Sequence, residues 1–536
     1  MIGRGAPAVL TSRPMADVCI IGAGLAGGLV ADALTRQGRS VVVLEAGPRF
    51  PRATRYAALT ERLRTGASPW AGPAERDAFT NAGPVPYPLN DYRVKGVGGT
   101  TLHWTAYTPR LHAHDFELRR RHGLGADWPV TYAELEPFYG DAERALGVAG
   151  AEDNPYASAR AAGYPLPAFP ASVGDATLTA ACARLGITAH SAPYARSMTR
   201  WEDRAACRAF GTCSSLQICP ISAQYTAETP IARAEASGRA VVMTEARARR
   251  FELDAAGRIR AVIYGTPVAA DAALTARVFV LAAHAVESAR LLLLSASPRH
   301  PDGLANRSGL VGRHLMEHPF WAVHGRMRTS MFPYRIGFHT RETHHFCARP
   351  DRDQTGAFRL AFPNQPGPRP EDIARDSGLW GDVLADEVRE HFGRIVAVHG
   401  FTEQLPDPAH TVTLDPVAVD GFGDAVPRLS WGLGDYDRAA GAAAMAAAAR
   451  ILDAAGAEDV SFPFGDGFSY CGHQIGTLRM GDDPARSVVN RHLVSHDVPN
   501  LIAVGSSVFP TSSALNPSLT IAALTLRATT HLATLL

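Results

Sequence analysis

An α/β fold is predicted, with a mostly parallel sheet assembled from segments far apart in the chain and a second, α+β region built on an antiparallel sheet. Three observations predict it. ADVCIIGAGLAGGLVADALTRQGRSVVVLEAG (16–47) reads as strand, glycine turn, helix, strand. ARVFVLAAHAVESARLLLLSA (276–296) reads as a strand entering an apolar helix, and PNLIAVGSSVFP (499–510) as strand and turn before the helix SLTIAALTLRATTHLATLL. Between them, FWAVHGRM (320–327) and RIVAVHGF (394–401) alternate like antiparallel strands with one wet face.

Taken in order, the apolar run Val18–Ile21 has the continuous hydrophobicity of a buried parallel strand, Leu25, Leu29 and Leu34 share one helical face, and Val41–Leu44 is the next strand. Together they form a βαβ unit. Residues 117–230 are rich in Pro and Ala and read as loops and short helices. The alanine-rich helix 437–457 packs across the antiparallel sheet, and 363–376 is the most loop-like stretch. The division that follows is 15–116, 231–310 and 466–536 for the discontinuous parallel-sheet domain, 117–230 for a cysteine-bearing region, and 311–465 for the antiparallel sheet.

With 536 residues, the chain exceeds the usual size of a single core. Its 53 basic and 52 acidic residues leave a formal charge of +1, without the basic excess of a nucleic-acid binder. No apolar run approaches the ~18 residues of a membrane span. The N-terminal segment before Val18 lacks a secretory apolar region and cleavage site. Export to the periplasm therefore requires a signal-bearing partner, and without one the chain is cytoplasmic. Seven cysteines, an odd count, argue against a disulfide scaffold.

Gly22-x-Gly24-x-x-Gly27 follows the first strand and opens the helix, and Glu45 ends the next strand. The glycines permit a tight turn, close approach of backbone to a pyrophosphate and close helix packing, while Glu45 suits ribose hydroxyls. The fold is thus Rossmann-like, although this motif does not separate NAD from FAD. Gly98, Gly99 and Thr100 form a second glycine-rich loop that exposes amides and hydroxyls, followed by His103, Trp104 and Thr105. His473, in YCGHQIGTLRMG (470–481), is either a structural hydrogen-bonder or a proton acceptor. Cys207, Cys213 and Cys219 lack the Cys-x-x-Cys spacing of zinc sites; buried thiols, one disulfide with a spare thiol, and an iron–sulfur cluster all fit them. His314 and His318 would share a helical face, with structural or pocket-lining roles favoured over a metal pair. THHFC (343–347) could bind metal but reads rather as a solvated or lid-like loop, and Glu403 or Gln404 as a substrate contact.

The N-terminal fingerprint, GGTTLHWTAYTPR and the C-terminal HQIGTLRMG…NPSLTIAALTLR together resemble the glucose–methanol–choline (GMC) family of FAD-dependent oxidoreductases, with greatest similarity to its bacterial sugar (glucose or glucoside) dehydrogenases and pyranose oxidase. The resemblance implies FAD, with His103 as a potential covalent attachment point and Thr105 near flavin N5. It implies that His473 is the general base and that Asn516 holds the substrate oxygen. Gly505 and Ser506 are placed at the pyrophosphate and ribityl chain, and Asn516 and Pro517 beside the flavin pyrimidine. Cys207, Cys213 and Cys219 resemble the ligands of a three-iron cluster in those dehydrogenases, although the gap from Cys213 to Cys219 is longer here. The implied reaction oxidises a sugar or glycoside hydroxyl and sends electrons through the cluster to a cytochrome or quinone acceptor, with a small signal-bearing subunit as partner. The alternative is a peroxide-forming sugar oxidase.

Overall fold

The computed structural model describes residues 15–536 apart from 210, 212, 214 and 334. The reading of the N-terminal segment therefore falls largely on residues 1–14, outside the described residues.

Five parallel strands form the heart of the first sheet, in the order Ala240–Met243, Val41–Leu44, Ala16–Ile21, Ala269–Leu281 and Leu501–Ala503. Only two of them are neighbours in the sequence, so the discontinuous assembly expected from the motifs is what the chain adopts. The long strand Ala269–Leu281 serves two sheets' worth of partners. Its polar-alternating first half pairs antiparallel with Ile259–Thr266, and its continuous VFVL end is buried among parallel neighbours. The Gly-bearing helix Leu25–Arg36 and the C-terminal helix Ser518–Leu532 cover this layer and touch each other.

A second seven-stranded sheet runs Glu458–Ser461, Pro319–Arg326, Ile395–Thr402, Phe358–Ala361, Arg341–Thr343 and His190–Ser191, with Ser469–Tyr470 added to Pro319–Arg326. Helix Asp435–Ala455 crosses its outer face on a stripe of Ala440, Gly441, Ala444 and Ala448. These small residues set the approach: a Cβ on Gly441 would stand 2.3 Å from the Trp321 ring, and one on Gly400 2.7 Å from the Ala444 Cβ. The other face, expected to be wet, instead roofs a cavity with Phe320, His324, Arg359, His399 and Phe401.

A third sheet joins Ile475–Thr477, Arg313–Met316, Thr411–Val419, Ala425–Ser430 and Thr80–Asn81. It overturns the helical reading of His314 and His318. Pairing of Arg313 with Thr477 and of Met316 with Ile475 holds this segment extended, so the two histidines share no helical face. The 343–347 segment is likewise no solvated lid. Thr343, His344 and Cys347 are buried, because Arg341–Thr343 is sandwiched between two strands. Half of the loop expected at 363–376 is the helix Pro370–Ser377, started by a proline at its first turn and by the Arg369 N–H donating to Asp372. Among the described residues, no helix is long and apolar enough to cross a membrane.

Candidate active site

A cavity of about 780 Å³ lies between the parallel sheet and the second sheet. The glycine fingerprint shapes its far end. Gly22 has φ +104° and a Cβ there would meet the Ala282 carbonyl at 2.5 Å, while a Cβ on Gly27 would lie 1.9 Å from the Gly22 carbonyl. Gly24 has no protein atom nearer than 3.9 Å to such a Cβ and lines the cavity, which leaves its backbone open to a ligand. Glu45 also lines the cavity; its oxygens accept the Ala23 and Gly47 N–H groups, each at 2.9 Å. Gly99, Thr100, His103, Thr105, Gly505, Ser506 and Pro517 face the same space. Gly27 and Gly98 do not: they are packing glycines behind it, and the Gly98 N–H donates to Ala23 at 3.0 Å.

His103 Nε2 is buried at the cavity wall without a hydrogen-bond partner among the described residues, and burial holds the ring down at about pKa 4. An orphan ring nitrogen buried in the cavity wall fits a histidine that contacts, or bonds to, a flavin. The N-terminus of Ser518–Leu532 also opens onto the cavity through Pro517 and Ser518, presenting the positive end of a 15-residue helix. The residues present therefore fit FAD. Sequence reasoning missed the buried cationic group Arg93 and Lys95, paired with Glu287, on the same wall. Burial first, and then Arg93, lower Lys95 to about 8.

His473 and Asn516 meet as expected, with Asn516 Nδ2 at 3.0 Å from His473 Nε2. His318 completes the group, its Nδ1 at 2.9 Å from His473 Nδ1. A backbone carbonyl fixes the protons along this line. His318 Nε2 lies 3.2 Å from the Ser512 carbonyl, which only accepts, so His318 Nε2 carries the hydrogen and its Nδ1 is a bare acceptor. His473 Nδ1–H then donates to His318, leaving His473 Nε2 with its lone pair toward the Asn516 amide and the cavity. Glu317 Oε1 accepts both the His318 and His473 N–H groups at 2.8 Å, and its other oxygen accepts the Tyr87 hydroxyl. Burial raises the Glu317 carboxyl to about 7. Burial, aided by His318 and Arg359, pushes His473 well below 6.5, so its neutral form prevails.

Arg359, another residue missed from sequence, donates to Asn516 Oδ1 at 3.0 Å and lies over the Phe401 ring at 3.9 Å. Glu403 and Gln404 are not substrate contacts. Glu403 is buried against Arg352, and Gln404 Oε1 accepts the Glu317 N–H at 3.0 Å and the Trp431 indole N–H at 2.8 Å, which anchors Glu317 from behind. Cys471 is half-buried at the cavity edge.

Cys207 and Cys219 share one buried cluster with Cys213 against it, and none of the three is in a disulfide. Their sulfurs accept donors: Ala209 N–H on Cys207 at 3.4 Å, Ala223 N–H on Cys219 at 3.2 Å and Arg196 on Cys213 at 3.3 Å. Arg196 also donates to the Thr105 carbonyl at 2.6 Å, so one guanidinium links the sulfur cluster to the cavity wall.

A dinucleotide cleft with a neutral histidine and an amide at its reactive end defines an FAD-dependent oxidoreductase acting on alcohol groups. Residues 17–208 match the family model for FAD dependent oxidoreductase, and 406–525 that for GMC oxidoreductase. The chain is similar to the fructose dehydrogenase large subunit of Gluconobacter japonicus, at 32% identity over 96% of this chain and 97% of that one. It is similar to 2-methyl-1,2-propanediol dehydrogenase of Mycolicibacterium austroafricanum at 31%, over 97% and 95%. Among solved structures, pyridoxine 4-oxidase from Mesorbium loti shares the fold with a TM-score of 0.66 at 18% identity, over 97% and 99%. The chain belongs to the GMC oxidoreductase family.

Proposed function

We propose that the protein is an FAD-dependent dehydrogenase that oxidises a hydroxyl of a sugar or related polyol to a carbonyl and delivers the electrons to an external acceptor. The His318–His473–Asn516 line carries this reading. His473 Nε2 takes the hydroxyl proton, because its lone pair is the one ring position not already engaged as a donor. The Asn516 amide lies beside that nitrogen and donates to the substrate oxygen, fixing the carbon for transfer. Arg359 braces Asn516 and places a positive charge where an alkoxide would develop. Bound in the cleft, FAD would supply the hydride acceptor.

Cys207, Cys213 and Cys219 fit a three-iron cluster: they are free thiols in or against one buried side-chain cluster, with N–H donors already on the sulfurs. Bound there, a cluster supplies single-electron exchange, which an oxidase does not need. The similarity to a dehydrogenase large subunit supports a partner subunit, which we take to be small and signal-bearing, with a cytochrome or quinone as the acceptor.

Iron and flavin content, together with hexose-dependent dye reduction against oxygen uptake, test the proposal. Iron near three per flavin with dye reduction far ahead of peroxide formation is expected. Iron-free protein that forms peroxide rapidly would turn the assignment to an oxidase.

A further inference from the structure

A second cluster of ligating groups lies at the edge of the second sheet. It is built from His190 of His190–Ser191, Glu342 of Arg341–Thr343, and His344 just after it. A ring nitrogen of each histidine and one carboxylate oxygen all lie within 4.8 Å of one another, and the residues are only 1%, 0% and 3% exposed. The two imidazoles meet nearly at right angles, 86°, with centroids 4.5 Å apart.

Hydrogen bonding leaves His190 ready as a ligand and sets the orientation of the other two. His190 Nδ1 lies 3.2 Å from the Ser191 carbonyl, an acceptor, and so carries the proton. Its Nε2 is then a bare lone pair, buried, with no partner among the described residues. Such an orphan leaves a lone pair free for a ligand. His344 Nδ1 accepts from the Asn154 amide at 3.3 Å and faces His112 Nε2 at 3.1 Å, so its Nε2 carries the hydrogen toward Glu342 Oε1 at 3.4 Å, a proton that a bound metal ion displaces. Glu342 divides its oxygens, with Oε2 held by Arg359 at 3.2 Å and Oε1 left on the histidine side. The Tyr107 hydroxyl reaches both oxygens, at 2.6 and 2.7 Å, and stands 3.4 Å from His344 Nε2, at the rim of the same space.

We propose that His190, Glu342 and His344 bind one divalent transition-metal ion of the zinc type. Two neutral imidazoles and one carboxylate form a donor set suited to such an ion and unsuited to calcium or magnesium. The ion is structural: it ties the short edge strands together and holds Glu342, and through Glu342 the Arg359 side chain, in place.

The full-length holoenzyme, expressed with added zinc chloride and freed of loose metal by chelator and desalting, tests this. Zinc, iron and FAD are measured together in wild type, His190→Ala, His344→Gln and, as a control for thiolate binding, Cys213→Ser. About one zinc per chain is expected in wild type and Cys213→Ser, with a loss of roughly tenfold or more in both histidine variants. Added zinc should raise the thermal midpoint of wild type and not that of His190→Ala. Flavin-loaded wild type without retained zinc overturns the proposal even where a variant fails to fold, and so does undiminished zinc in a folded, flavin-loaded His190→Ala.

Discussion

At the scale of single residues, the Ser512 carbonyl does most to define the site, because a carbonyl can only accept. Its choice of proton passes through His318 to His473 and leaves one nitrogen basic at the cavity. His318→Leu removes the acceptor for His473 Nδ1–H. The expected loss in kcat/KM is on the order of 10–100-fold, the kinetic equivalent of an unsatisfied buried donor at about 1–3 kcal/mol. His318→Asn, which offers an amide oxygen in its place, should recover part of that loss in the same steady-state assay. The pH profile follows from the low pKa of His473. With His473 as the proposed base, activity needs the neutral ring and is lost as pH falls through the folded pKa, which lies well below 6.5. A kcat/KM that stays level from pH 7.5 to 6, measured in about half-unit steps, is the expected profile.

At the scale of elements, the site depends on how closely two layers approach. Gly441 lets helix Asp435–Ala455 lie against Trp321, and Gly441→Ala should destabilise the protein by about 1–3 kcal/mol through overpacking. Chemical denaturation would measure this, with the flavin spectrum of the folded fraction unchanged. The turn carrying Glu317 behaves differently with pH. Its folded pKa, about 7, is raised above an unfolded value near 4.5. The stability this protonated carboxyl contributes is fully present below about pH 4.5 and is lost as pH rises through about 7, a difference on the order of 3 kcal/mol. Glu317→Gln keeps a carbonyl oxygen for the His318 and His473 amides. Thermal midpoints taken between pH 5 and 8 should therefore fall less with rising pH in Glu317→Gln than in wild type.

At the scale of the whole molecule, the cavity is made by segments that the chain supplies hundreds of residues apart. The local parts were legible in sequence. The glycine fingerprint, the strands at 16–21, 41–44 and 501–503 and the alanine-rich helix all announce themselves within short windows through turn chemistry and hydrophobic period. His473 and Asn516 were legible only through resemblance, since nothing local marks either residue. What lay beyond the sequence was pairing between distant segments. His318 seemed to belong to a helical i, i+4 pair because a short apolar run fits either period, and the strand at Ile475–Thr477 decided the matter. Arg359 and Glu317 have no motif at all, and of the His190–Glu342–His344 group only His344 lies in a run that stands out in sequence; register, with Glu342 opposite His190, supplies the rest.

The central claim is that His473 Nε2 removes the substrate proton. Anaerobic stopped-flow reduction of the enzyme-bound flavin by a hexose substrate, compared between wild type and His473→Ala at matched FAD content, tests it most directly. A fall of about 10²–10⁴-fold in the reduction rate constant of the variant is the expected result. Flavin reduction at the wild-type rate in His473→Ala would contradict the account.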